Sequence, residues 1–276
     1  MIELILARLP EIVIVIYALS ILFYFIDFVQ QNREASRLAF RLLSIVWILQ
    51  TIFLFIYMYH AGRFPVLTLF EGLYFYTWVL ITLSLAIHKI FQVDFTVFFT
   101  NIIGFIFMAI HAFAPAQSFA VSAEQLMSEL LLIHITMAIL SYGAFSISFV
   151  FSILYLLQYR LLKRKKWKKK LWRLTDLAKL EKSSFALNVI GVPMLLLSLI
   201  LGLRWAVMKL SVFYWYDPKI VGSFALLGIY GFILYLHMKK HLYGRKLALW
   251  NTAAFLLVLI NFFLNSRLST FHYWDS

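Results

Sequence analysis

Residues 128–158 read SELLLIHITMAILSYGAFSISFVFSILYLLQ, and Glu129 is the one formally charged side chain among them. As an α-helix rising about 1.5 Å per residue, this stretch reaches roughly 45 Å, well beyond the ~30 Å hydrocarbon core of a bilayer. Inside lipid each backbone amide must find its partner within its own segment, so the run is read as helix despite its Phe, Val and Ile content. A membrane barrel would need short segments of alternating polarity, and this run is too long and too uniformly apolar.

Working outward, seven more apolar runs stand at about 10–29, 38–59, 69–88, 95–113, 184–207, 220–240 and 247–264. With 63% hydrophobic and 13% charged residues, the chain lies far from the soluble average of about 45–50% apolar and about 25% charged. The fold class expected is an all-α integral membrane protein of eight transmembrane helices, one polytopic domain over 1–276. The N-terminus lacks a basic segment ahead of its apolar run and is read as the first span, not a removed signal. The absence of Cys excludes disulfides, thiolate metal sites and haem attached through CxxCH.

The basic residues orient the bundle. Nineteen of the 25 Lys and Arg fall in the connectors after spans 1, 3, 5 and 7, eleven of them between Arg160 and Lys182. The positive-inside rule places those connectors in the cytoplasm and both termini outside. The net charge of +13 is thereby matched to anionic lipid headgroups, not to nucleic acid. The 159–183 connector, which includes RLLKRKKWKKK, divides the spans into five and three. It reads as a topology anchor or as a docking surface for a cytoplasmic partner. On the opposite side, residues 114–127 are polar enough for a short surface helix, and SVFYWYDPKIVG (211–222) joins spans 6 and 7.

Histidines at membrane depth are costly and are functional candidates for that reason. His134 lies near the outer end of span 5, and His272 follows span 8 on the same side. His88 and His237 lie at the cytoplasmic ends of spans 3 and 7. The four make one outer and one inner pair, and paired imidazoles from separate helices suit the two axial positions of a haem iron. Phe213, Tyr214, Trp215 and Tyr216 offer a flat apolar wall, with Lys219, Arg204 or Arg267 for the propionates. The bland reading of the same residues is interfacial packing. In that reading, Asp217-Pro218 simply begins span 7. A zinc site lacks a three-ligand cluster, and a small-molecule transporter lacks clear inverted repeats. His60, His111 and His241 read as packing or surface residues.

The chain resembles the cytochrome c assembly membrane family, which includes the CcsA-like proteins, and most closely its HemX-like branch. The family's WG-x-x-W-x-W-D-P-K segment has its counterpart in Tyr214-Trp215-Tyr216-Asp217-Pro218-Lys219, preceded by Arg204-Trp205-Ala206. Further matches are His134-Ile135-Thr136 through Ser141-Tyr142-Gly143-Ala144-Phe145, Asn265 through Tyr273 with His272, Tyr235-Leu236-His237, and Glu71 through Trp78 with His88 following. The resemblance implies non-covalent haem b held at an outer site by His134 and His272 beside Trp215, Tyr216 and Asp217. It also implies an inner position at His88 and His237. It further implies a multi-pass protein of the bacterial cell membrane that lowers the level of glutamyl-tRNA reductase and is not itself an enzyme. The reductase or a membrane protease is then the cytoplasmic partner. The alternative is a haem-transfer component of cytochrome c maturation. Against that alternative, the upstream Trp-Gly is missing and Tyr216 stands in place of the central Trp.

Overall fold

The computed structural model of the protein describes residues 2–91, 94–113, 128–164, 176–209 and 215–268. They form eight helices: α1 (Ile2–Gln30), α2 (Arg33–Ala61), α3 (Leu69–Phe91), α4 (Asp94–Ala112), α5 (Glu129–Lys163), α6 (Leu177–Lys209), α7 (Pro218–Met238) and α8 (Gly244–Leu268). All eight are long and apolar enough to cross a membrane. Each expected span falls on one helix, and most helices overrun it. Hydropathy marks only lipid depth, whereas a helix continues until its end groups are capped.

The caps explain several boundaries. The Asn32 side chain accepts from the amides of Glu34 at 2.9 Å and Ala35 at 3.3 Å, starting α2. Gly62 ends that helix with φ of 65°, a left-handed conformation that suits glycine. Ser128 caps α5. Asp217 caps α7 by accepting from the Lys219 amide at 2.8 Å, with Pro218 in the first turn. The boundary role read for Asp217-Pro218 is present.

The helices form two compact units, α1–α4 and α5–α8. In the first, α1 packs on α2 and α4, and α3 packs on α4 and α2. Its interior carries a Tyr17 hydroxyl donating to Asn101 Oδ1 (2.8 Å), whose Nδ2 donates to Ser84 Oγ (2.9 Å). The turn between α2 and α3 is held by Glu71. Its carboxylate takes two bonds from Arg63, at 2.8 and 2.9 Å, and others from the Tyr57 hydroxyl and the Leu67 and Thr68 amides.

In the second unit α5 packs on α6 and α8, and α7 packs on α6 and α8. Two polar layers lie within it. Toward the start of α8, Asn251 Nδ2 meets the hydroxyls of Ser148, Ser152 and Ser184 at 2.8–3.1 Å, while Asn188 donates to Asn251 Oδ1 at 2.9 Å. Toward its other end, Asn261 Nδ2 donates to the Tyr142 hydroxyl at 2.9 Å and to Ser223 at 3.3 Å. Between the layers, the rings of Phe145 and Tyr230 stack with centroids 3.9 Å apart, and those of Phe149 and Phe255 at 4.4 Å.

Candidate functional site

His134 stands on the second turn of α5 and turns onto α6. Its Nδ1 lies 2.6 Å from the main-chain oxygen of Ser198. Ser198 Oγ donates to the carbonyl of His134 at 2.9 Å and lies 3.1 Å from Nδ1. A carbonyl oxygen can only accept, so Nδ1 carries the proton. One turn along α6, Gly202 leaves the room the ring uses: a Cβ there would stand 2.5 Å from Cε1 of His134.

Trp215 and Tyr216 of the aromatic connector lie at the same end of this unit. Trp215 and Tyr216 are 63% and 74% exposed, whereas Asp217 is only 7% exposed and is engaged as the cap of α7. Lys219 donates from Nζ to the main-chain oxygen of Asn261 at 3.0 Å and sits over the Phe262 ring. Trp205 points into the core at 2% exposure, while its neighbour Arg204 is exposed. Phe213, Tyr214 and His272 lie outside the described residues, and so do residues 114–127 and 165–175.

His237 belongs to the opposite end of the second unit. Its Nδ1 is 2.8 Å from the Leu242 carbonyl, closing the turn from α7 to α8, and its ring lies against Phe185 at 4.3 Å between centroids. His88 belongs to the first unit and lies against Phe40 at 4.8 Å. Of the remaining histidines, His111 Nδ1 meets the Phe70 carbonyl at 3.0 Å beside the Tyr74 ring, and His60 and His241 are exposed.

At the His237 end, the last turn of α5, the first turns of α6 and the corner between α7 and α8 meet. Gly244 donates its amide to Glu181 at 2.9 Å, and a small cavity there is lined by Tyr155, Leu180, Glu181 and Gly244 among others. Arg160, Lys163, Arg164, Lys179, Lys182, Lys239, Lys240, Arg245 and Lys246 are all exposed around it. The basic residues and His134 therefore occupy opposite ends of one four-helix unit.

Ser198 and Gly202 did not stand out in the sequence reading. The available signal was a pair of small residues one turn apart, the spacing that lets a neighbouring helix come close.

Comparison with known proteins gives a consistent assignment. Residues 66–272 match the family described as Cytochrome C assembly protein. The chain is 60% identical over 276 residues to Protein HemX of Bacillus subtilis (strain 168), covering the whole of both. It is 47% identical over 264 residues to Protein HemX of Brevibacillus brevis, covering 96% of this chain and 97% of that one. Cytochrome c biogenesis protein CcsA of Prochlorococcus marinus (strain AS9601) is 27% identical over 255 residues, covering 84% of this chain and 82% of that one. Among solved structures, Cytochrome c Heme Lyase CcmF shares the fold with a TM-score of 0.66 at 11% identity. That likeness covers 98% of this chain and 47% of that one, so the chain spans about half the length of the lyase. Eight apolar helices and these relatives make it a multi-pass bacterial membrane protein. With its CcsA-like core and its full-length likeness to HemX, the chain belongs to the cytochrome c assembly protein family.

Proposed function

We propose that the protein is a haem-associated membrane regulator of the HemX type, which lowers the level of glutamyl-tRNA reductase at the start of tetrapyrrole synthesis and catalyses no reaction itself. The carrying observation is His134, held with its Nδ1 hydrogen on the Ser198 carbonyl, in a chain that matches HemX along its whole length. A proton on Nδ1 leaves the lone pair on Nε2, and a neutral imidazole nitrogen is a standard axial donor to haem iron. The chemistry of His134 therefore suits the group. His134 and His272 would hold it at the outer end, beside Trp215 and Tyr216 and without a covalent link. When bound, haem supplies an iron centre whose presence the protein registers.

The charge asymmetry supports the orientation. Positive residues favour the cytoplasmic side, which puts His134 and Asp217 outside and the basic end of the second unit inside. There the exposed Lys and Arg meet anionic headgroups and offer a surface to the reductase or to a membrane protease. The regulatory reading is preferred over haem transfer because the full-length relatives are HemX proteins, and because Tyr216 stands where the tryptophan-rich segment has a Trp.

Deletion of the gene tests this. The expected result is more glutamyl-tRNA reductase on an immunoblot, with covalent c-type cytochromes unchanged by haem stain. Loss of covalent cytochrome with an unchanged reductase level would instead make the protein a haem-transfer component.

A further inference from the structure

We propose that Ser198 and Gly202 of α6 are positioning residues that set both the tautomer and the orientation of His134, making Nε2 its ligating atom. The inference rests on the haem reading above, and it concerns how this chain's own residues prepare the ligand.

Ser198 presents two oxygens to Nδ1, the main-chain carbonyl at 2.6 Å and Oγ at 3.1 Å. The hydroxyl hydrogen is committed elsewhere, to the His134 carbonyl at 2.9 Å, so lone pairs of Oγ face the ring. Among the described residues, Nδ1 thus faces two acceptors. A proton on Nε2 instead would set the Nδ1 lone pair against a carbonyl lone pair at hydrogen-bond distance. Ser198 therefore selects one tautomer, and donation to a carbonyl also makes the opposite nitrogen a stronger base toward a metal.

Gly202 supplies the orientation. A Cβ at this position would lie 2.5 Å from Cε1, 2.6 Å from Nδ1 and 3.0 Å from Nε2 of His134. All three are closer than a carbon packs against a ring, so the imidazole lies directly on the backbone of α6. Ser198 and Gly202 share one helix face, being one turn apart, and act on the ring together. Any larger residue at 202 must push the ring off Ser198 and turn Nε2 from its present direction.

Two measurements on the full-length protein in detergent test the pair. The first is haem titration of wild type, Gly202→Ala, Ser198→Ala and Ser198→Thr, followed by visible spectra and midpoint potentials. Gly202→Ala is expected to weaken haem binding on the order of tenfold, with added imidazole restoring the low-spin spectrum. Ser198→Ala is expected to shift the potential, and Ser198→Thr, which keeps the hydroxyl, to return it toward wild type. Wild-type spectra and potentials in both Gly202→Ala and Ser198→Ala would overturn the proposal.

The second measurement needs no haem. In 15N-histidine-labelled protein, NMR is expected to show the proton of His134 on Nδ1 in wild type and a changed signal in Gly202→Ala. A proton on Nε2 in wild type would overturn the proposal even if haem binds. Wild type that takes up no haem but shows the Nδ1 proton would overturn the ligand role together with the haem reading, while the placement of the ring by α6 would stand.

Discussion

Lys219 donates from Nζ to the main-chain oxygen of Asn261 at 3.0 Å, fastening the first turn of α7 to α8. The same ammonium lies 5.6 Å from the centre of the Phe262 ring. Lys219→Met keeps the length of the stem and removes the donor. A hydrogen bond from a charged group contributes about 1.5–3 kcal/mol, so the variant is expected to unfold at a lower temperature in detergent. An unchanged midpoint would show that the Lys219 bond adds nothing to the packing and to the Asn261–Ser223 bond between the two helices.

Asn251 is the hub of the polar layer near the start of α8, joining that helix to Ser148 and Ser152 of α5 and to Ser184 and Asn188 of α6. Interhelical hydrogen bonds in membranes contribute modestly, so Asn251→Ala is expected to cost roughly 1–2 kcal/mol. Asn188→Ala removes one of these bonds and is expected to cost less. Equilibrium unfolding of both variants in mixed detergent would rank them, and the reverse order would remove Asn251 from the centre of the layer.

Arg63 and Glu71 form a buried pair, with side chains 7% and 9% exposed, in the turn that joins α2 to α3. Arg63→Ala leaves a carboxylate short of its cation, and breaking a buried pair this way costs about 3–5 kcal/mol. The double variant Arg63→Met with Glu71→Met is expected to be more stable than Arg63→Ala, because it leaves no buried charge behind. If the double variant is the weaker of the two, the pair contributes beyond cancelling its own desolvation.

The sequence contains no Cys, so single introduced cysteines report sidedness without background. Tyr216→Cys is expected to react with a membrane-impermeant maleimide added to intact cells. Lys163→Cys is expected to react only after permeabilisation. The opposite pattern would invert the orientation.

The spans were legible because a bilayer demands about 20 apolar residues in succession, a signal that survives in a single sequence. Asp217-Pro218 was legible too, since a capping carboxylate before a first-turn proline has a local cause. The helix ends beyond lipid were not. α6 begins at Leu177, inside a polar stretch where hydropathy is silent. The grouping of α5 with the three helices after it was hidden for another reason. The connector at 159–183 is the most conspicuous break in the chain, yet the two units part before α5. Side chains facing lipid and side chains facing a neighbouring helix are equally apolar, so composition cannot tell them apart. The His134–Ser198 contact joins residues on different helices, and no periodicity within one helix records it.

Asn251 and Asn261, one in each polar layer of the second unit, are separated by roughly three turns of α8, or about 15 Å. The interval holds the stacked Phe145 and Tyr230 together with Phe255 and Val258, all within 2% of complete burial. Such a slab of aromatic and aliphatic side chains is a dielectric barrier, across which bare charge travels at great cost. On the regulatory reading proposed above, a signal from the His134 end would have to reach the basic end by displacement of helices, as in a pushrod, and not by movement of charge, as in a wire.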